Sequence, residues 1–260
     1  MRRLFAVFGL LAFLAVQPLA AQPLPTDAAR EPVDGDILDY TGNYKALSTA
    51  PSPYEYGTVV GPYKGVLLSS PTTPAFTMYC VDFEHYVLGG SDGWEINASN
   101  LADGSDVSQT FGESLFLKTA SQARLDYQKA AFLSSLFATN TSDWAGIHGA
   151  IWTLTRPGSG YKFTYSSAAI DSWLGVVNTA YLTSIASGGA GSVWDGFDFQ
   201  NWHVMTPTGL NAEGGHVPLS QEFLVHTAVV PEPQTYILLL SGLVAIFFVA
   251  RRRMKENGYA

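Results

Sequence analysis

Pro74-Ala-Phe-Thr-Met-Tyr-Cys-Val-Asp-Phe-Glu-His-Tyr-Val-Leu88 is the stretch from which the fold is read. It is a β-branched and aromatic run without a helical period, bounded upstream by Ser70-Pro71 and downstream by Gly89-Gly-Ser-Asp-Gly93, which are turn signals. It therefore reads as a strand. Tyr79, Val81 and Phe83 alternate with Met78, Cys80 and Asp82, which puts Cys80 and Asp82 on one strand face. Cys80 is the chain's 1 cysteine, so no intramolecular disulfide can staple the fold.

On the N-terminal side, Tyr56 to Leu68 has the same texture, broken by Gly61-Pro62, and reads as a second strand region. Before it, Gln22 to Pro53 is rich in Pro, Asp, Gly and Ala and reads as an extended or partly disordered lead-in. Asp34-Gly-Asp36 with Asp39 lacks the remaining ligands of a calcium loop and reads as a solvated turn.

On the C-terminal side, Trp94 to Asp106 reads as strand and loop, and the middle of the chain as helix. Ser121 to Ala138 carries apolar residues at helical spacing. Thr141-Ser-Asp143 offers N-caps to Trp144 to Leu154, ended by Arg156-Pro157-Gly158, with Trp144, His148, Ile151 and Trp152 on one face. Ala168 to Ser187 is a third helix with Ile170, Trp173, Leu174, Val177, Tyr181 and Ile185 on one side. Val193 to Val204 and Glu222 to Val230 return to strand texture and are expected to close the sheet. The expected fold class is α+β, a β-rich sandwich or barrel with an inserted group of helices.

The two ends read as addresses. Met1-Arg2-Arg3, the uncharged Leu4 to Val16 and the small residues up to Ala21 make a secretory signal peptide over 1–21. At the other end, Thr235 to Ala250 is free of formal charge and, at 1.5 Å rise per residue, makes a transmembrane helix of about 24 Å. Arg251, Arg252 and Arg253 hold its end on the cytoplasmic side, leaving 254–260 as a cytoplasmic tail. Pro231 and Pro233 keep Glu232 in an extended segment just outside the membrane.

Pro231-Glu232-Pro233, an apolar span containing Gly242 and the closing Arg cluster resemble the PEP-CTERM sorting tail of exported bacterial proteins over 229–253. That resemblance implies export across the inner membrane of a Gram-negative bacterium by way of signal peptidase, and transient anchoring in that membrane. It also implies processing by an exosortase, with the mature protein at the cell surface or outside the cell.

Between the addresses the chain is acidic. Setting aside Arg2, Arg3, Arg251, Arg252, Arg253 and Lys255 leaves 8 of the 14 basic residues, and setting aside Glu232 and Glu256 leaves 20 of the 22 acidic ones. A net charge of −12 on the exported part argues against nucleic acid and anionic lipid as partners.

Met78-Tyr-Cys-Val-Asp82 and Ala145-Gly-Ile-His-Gly-Ala-Ile-Trp152 carry a second resemblance. A Tyr-Cys-Val-Asp strand followed by a helix ending Ala-Ile-Trp is similar to the thioester domains of bacterial surface adhesins, and the ectodomain expected on that basis is 54–228. In that family the strand cysteine bonds to a helix glutamine and forms an internal thioester. Cys80 stands at the cysteine position, but His148 stands at the glutamine position and has no carboxamide to give up.

Cys80 and His148 also admit a nucleophile and base pair, with Asp82 or another acid orienting the ring, although no oxyanion-hole sequence accompanies them. His85 would face away from Cys80, so no metal centre is expected, nor any cofactor. The simplest reading is a buried thiol beside a hydrogen-bonded core histidine. Aromatic residues are abundant, with clusters at Trp94, at Trp194 to Phe199 and at Trp202-His203; where exposed, such rings stack on sugars, but more often they fill the core of a β-rich domain. The expectation is an exosortase-sorted surface or matrix protein with a binding or structural role and an exopolysaccharide or biofilm partner, not an enzyme. The alternative is a thioester-type adhesin or a Cys80-dependent enzyme acting on surface polymers.

Overall fold

The structure, a computed structural model, describes residues 27–43, 54–55, 58–70, 74–87, 93–156, 167–188, 193–227 and 246. Its strands are β1 (Asp36–Asn43), β2 (Tyr54–Glu55), β3 (Thr58–Val59), β4 (Tyr63–Leu67), β5 (Phe76–Cys80) and β6 (Trp94–Asn100). The helices α1 (Phe111–Ser114), α2 (Ala120–Ser134), α3 (Trp144–Thr155) and α4 (Ser167–Ser187) follow, and then β7 (Trp202–Pro207) and β8 (Phe223–His226).

Six strands close into an antiparallel barrel in the order β1-β4-β5-β8-β7-β6, with β2 and β3 as a separate small hairpin. β5 lies between β4 and β8 and is buried at all five positions, as a strand with side chains packed on both faces should be. Met78 pairs with Val225 and Cys80 with Phe223, while Tyr79, on the other face, stacks on Phe137 from the turn after α2. The four helices are inserted between β6 and β7, so the α+β expectation resolves into a barrel with helices inserted into it.

β1 corrects the boundary of the lead-in. Asp36 to Asn43 lies inside the stretch expected to be extended or partly disordered, yet it pairs with both β4 and β6 and so closes the barrel. Proline, glycine and aspartate around it obscured a short alternation in which Leu38 is fully buried. Asp36 is not part of a solvated turn either. It is 4% exposed, and Arg30 holds both of its oxygens, at 2.8 and 2.6 Å.

Two further expectations change. β5 ends at Cys80, so strand alternation does not carry on to Asp82. Residues 193–198 form turns, followed by a 3-10 turn at Phe199–Asn201, and only from Trp202 does the chain become strand. The signal peptide and the sorting tail lie outside the described residues, apart from Ile246. Among the described residues no helix is long and apolar enough to cross a membrane.

α3 lies across the end of the barrel where β4 begins and β5 ends. Ten of its twelve residues are buried, and Gly149 lets Ile170 of α4 approach to where a side chain would stand. Gly61, at φ +100°, lets the Trp144 ring sit where a Cβ would overlap it. At the opposite end Ala28 bridges Thr227 in parallel, and its N–H donates to the His226 carbonyl at 2.9 Å.

Candidate functional site

Cys80 and His148 are brought together, in a geometry that spends their polar atoms on the backbone. The Gly61 N–H donates to His148 Nδ1 at 2.8 Å, which leaves the ring proton on Nε2, and Nε2 donates to the Cys80 carbonyl at 2.9 Å. The thiol itself donates to the Asp82 carbonyl at 3.0 Å. His148 stacks on Trp152 with ring centroids 4.2 Å apart, and Phe137 meets it edge-on at 5.4 Å. Thr155 completes the attachment of α3, donating to the Val81 carbonyl at 2.6 Å.

Both side chains are 0% exposed, and burial sets their chemistry. Desolvation pushes the Cys80 thiol far above the ordinary thiol range, and the Asp82 carboxylate adds to this, while hydrogen bonds with the Asp82 backbone and Trp152 work against it. Desolvation pulls the His148 ring down to about 4, opposed by its bond to the Cys80 carbonyl. A neutral imidazole and a protonated thiol result. Neither ring nitrogen is directed at sulfur, so the nucleophile and base pairing of an activated cysteine is not formed.

Asp82 is used elsewhere. Its carboxylate accepts from the Glu84 N–H at 2.8 Å and pairs with His85 Nδ1, whose pKa rises chiefly through that bond. His85 packs at 5.1 Å against the Phe111 ring. Among the described residues no group of three His, Cys, Asp or Glu side chains is placed to hold a metal.

A polar centre that sequence reasoning missed lies beside it. Glu222, 1% exposed, accepts from the Phe111 N–H at 2.9 Å, from the Thr206 hydroxyl at 2.6 Å and from the Tyr127 hydroxyl. Burial raises its carboxyl to about 7 despite these donors. The donors come from α1, β7 and α2, so the cluster ties the helical insert to the barrel wall. Its only signal in sequence is an acidic residue directly before an apolar strand.

The aromatic clusters divide. Trp94, Trp202 and His203 are 1%, 4% and 2% exposed and belong to the core, so they offer no ring to a sugar. Trp194, itself buried at 8% exposure, and Asp195, Phe197, Asp198 and Phe199 line an open cleft of about 460 Å³. A second cleft of about 380 Å³ meets the first at Asp103 and Trp194 and runs past Gln122, Arg124, Gln128 and Tyr181.

No curated protein and no solved structure matches the chain. A family match covers the C-terminal end alone, over the 229–253 expected from Pro231, Glu232, Pro233 and Arg251 to Arg253. The chain carries there the PEP-CTERM protein-sorting motif, which implies export to the surface or exterior of a Gram-negative bacterium and processing by an exosortase.

Proposed function

We propose that this chain is a surface or matrix protein whose barrel binds extracellular polysaccharide and performs no catalysis. The observation that carries this reading is the contrast between two places on the molecule. At Cys80 and His148 every polar atom capable of chemistry is fully buried and bonded to backbone. At Asp103 and Trp194 two clefts with aromatic and amide linings open to solvent, within the roughly 300–1,000 Å³ typical of small-ligand sites.

The sorting motif supports the same setting, since it delivers the barrel to where such polymers lie. The test is retention of the exported protein on its own cells' exopolysaccharide. Affinity electrophoresis through gels containing that polymer should retard the protein, and unchanged mobility would defeat the binding role. A Cys80-dependent activity would require a reactive thiol in the folded protein and would show itself as native alkylation of Cys80.

A further inference from the structure

The two clefts are one groove, because Asp103 and Trp194 line both. Its apolar wall is held rigidly. Trp194 is backed by Phe132 at 5.8 Å and by Tyr181 edge-on at 5.3 Å, and Phe199 follows at 4.9 Å with Phe197 a further 4.7 Å on. Phe197 and Phe199 are half-buried, so part of each ring faces the opening.

The polar wall is acidic. Gln128 donates to Asp103 at 3.1 Å and the Asn201 amide donates to Asp198, so each of these carboxylates is oriented by a neutral group. Neither enters an ion pair among the described residues. Arg124, which donates to the Ser105 carbonyl, also lines the groove, so three carboxylates share it with one guanidinium and its charge is net negative. Asp195, which accepts from the Ser184 hydroxyl, lies in the same lining.

Apolar faces beside fixed hydrogen-bond acceptors suit a sugar ring, which presents C–H on its faces and O–H around its rim. Negative charge on the rim repels uronates and sulfated sugars and favours a protonated amine. A groove of two adjoining lobes suits neighbouring rings of one chain. We infer that this groove binds a stretch of glycan without acidic groups, with amino sugars preferred over neutral ones. The inference rests on the polysaccharide reading above and names its site and its ligand class.

The experiment titrates the full chain, in detergent, with three probes: a glucosamine hexamer of the chitosan type, maltohexaose and an oligogalacturonate. Binding is read by calorimetry. The glucosamine hexamer should bind most tightly, maltohexaose more weakly and oligogalacturonate not at all, and added salt should narrow the gap between the first two. Asp103→Asn with Asp198→Asn should abolish the amino-sugar advantage and spare maltohexaose. Phe199→Ala should weaken both about tenfold, the loss of about 1.4 kcal/mol of ring contact. Phe199→Leu takes its place if near-UV circular dichroism shows the alanine variant misfolded.

Undiminished binding by both groove variants would place glycan recognition elsewhere and sink this inference while leaving the polysaccharide reading intact. No binding of any probe, together with unretarded migration through the cells' own polymer, would sink both. Preference for the oligogalacturonate would overturn the ligand class.

Discussion

His148 donates its ring N–H to the backbone carbonyl of Cys80 at 2.9 Å, while the Cys80 thiol turns to the carbonyl of Asp82 at 3.0 Å. The imidazole thus fastens α3 to the end of β5. In this arrangement His148 acts as a hydrogen-bonded plug. Its flat ring fills the space between Trp152 and Phe137, with both nitrogens satisfied.

The first prediction concerns the thiol. The folded protein should show its full calculated mass, take up no methylamine and resist iodoacetamide, with Cys80 alkylated only after unfolding. A mass about 17 Da low, the loss of one ammonia, rising by about 31 Da with methylamine as the acyl group becomes an N-methyl amide, together with a newly alkylable Cys80, would mean an internal thioester with another partner.

Two buried groups oppose each other in their pH dependence. His148 falls from 6.5 to about 4 on folding, so the stability tied to its neutral form is complete above pH 6.5 and is lost as pH falls toward 4. Glu222 rises from 4.5 to about 7, so the stability tied to its protonated form is complete below pH 4.5 and is lost as pH rises toward 7. Between pH 4.5 and 6.5 the two slopes cancel. Urea denaturation should show Glu222→Gln gaining stability with rising pH across that window and His148→Asn losing it. Parallel profiles for both variants would contradict the assignment.

Backbone conformation gives two substitutions of opposite sign. Gly61→Ala places a methyl group against Trp144 at φ +100°, and should cost about 2 kcal/mol by strain and overpacking. Leu117 sits at φ +53° with 85% of its surface exposed, and Leu117→Gly should gain about 1 kcal/mol by relieving the left-handed conformation. Thermal midpoints of the two variants should move apart.

Lys118 closes the C-terminal end of α3. Its ammonium donates to the Leu154 and Thr155 carbonyls at 2.9 and 2.8 Å and to Asp126 of α2 at 2.8 Å. Lys118→Met removes all three contacts and leaves a largely buried carboxylate without its cation, at a cost of about 3 kcal/mol in denaturant unfolding. Adding Asp126→Leu should recover part of that loss, because the unpaired charge goes with it.

The three long helices were legible in sequence because periodicity is local. Trp144 to Leu154 was expected and α3 runs Trp144–Thr155; Ala168 to Ser187 was expected and α4 starts one residue earlier. Ile185, which its spacing puts on one side of α4 with Ile170 and Val177, is 58% exposed, since one helical face can be wider than the surface that covers it. β1 was not legible, because a short strand between turn residues acquires its meaning only from β4 and β6 on either side.

By itself the sequence determined the address at 229–253, the acidic charge of the exported part and the helical insert between strands. Each is set by residues close together in the chain. Tertiary structure alone decided that the strands close into a barrel, that Trp94 and Trp202 are core while Phe197 and Phe199 edge a groove, and that His148 serves the backbone of Cys80. Glu222 shows the reason most plainly. Its donors Tyr127 and Phe111 lie 95 and 111 residues away, and no local pattern encodes a bond that only the closed barrel brings within reach.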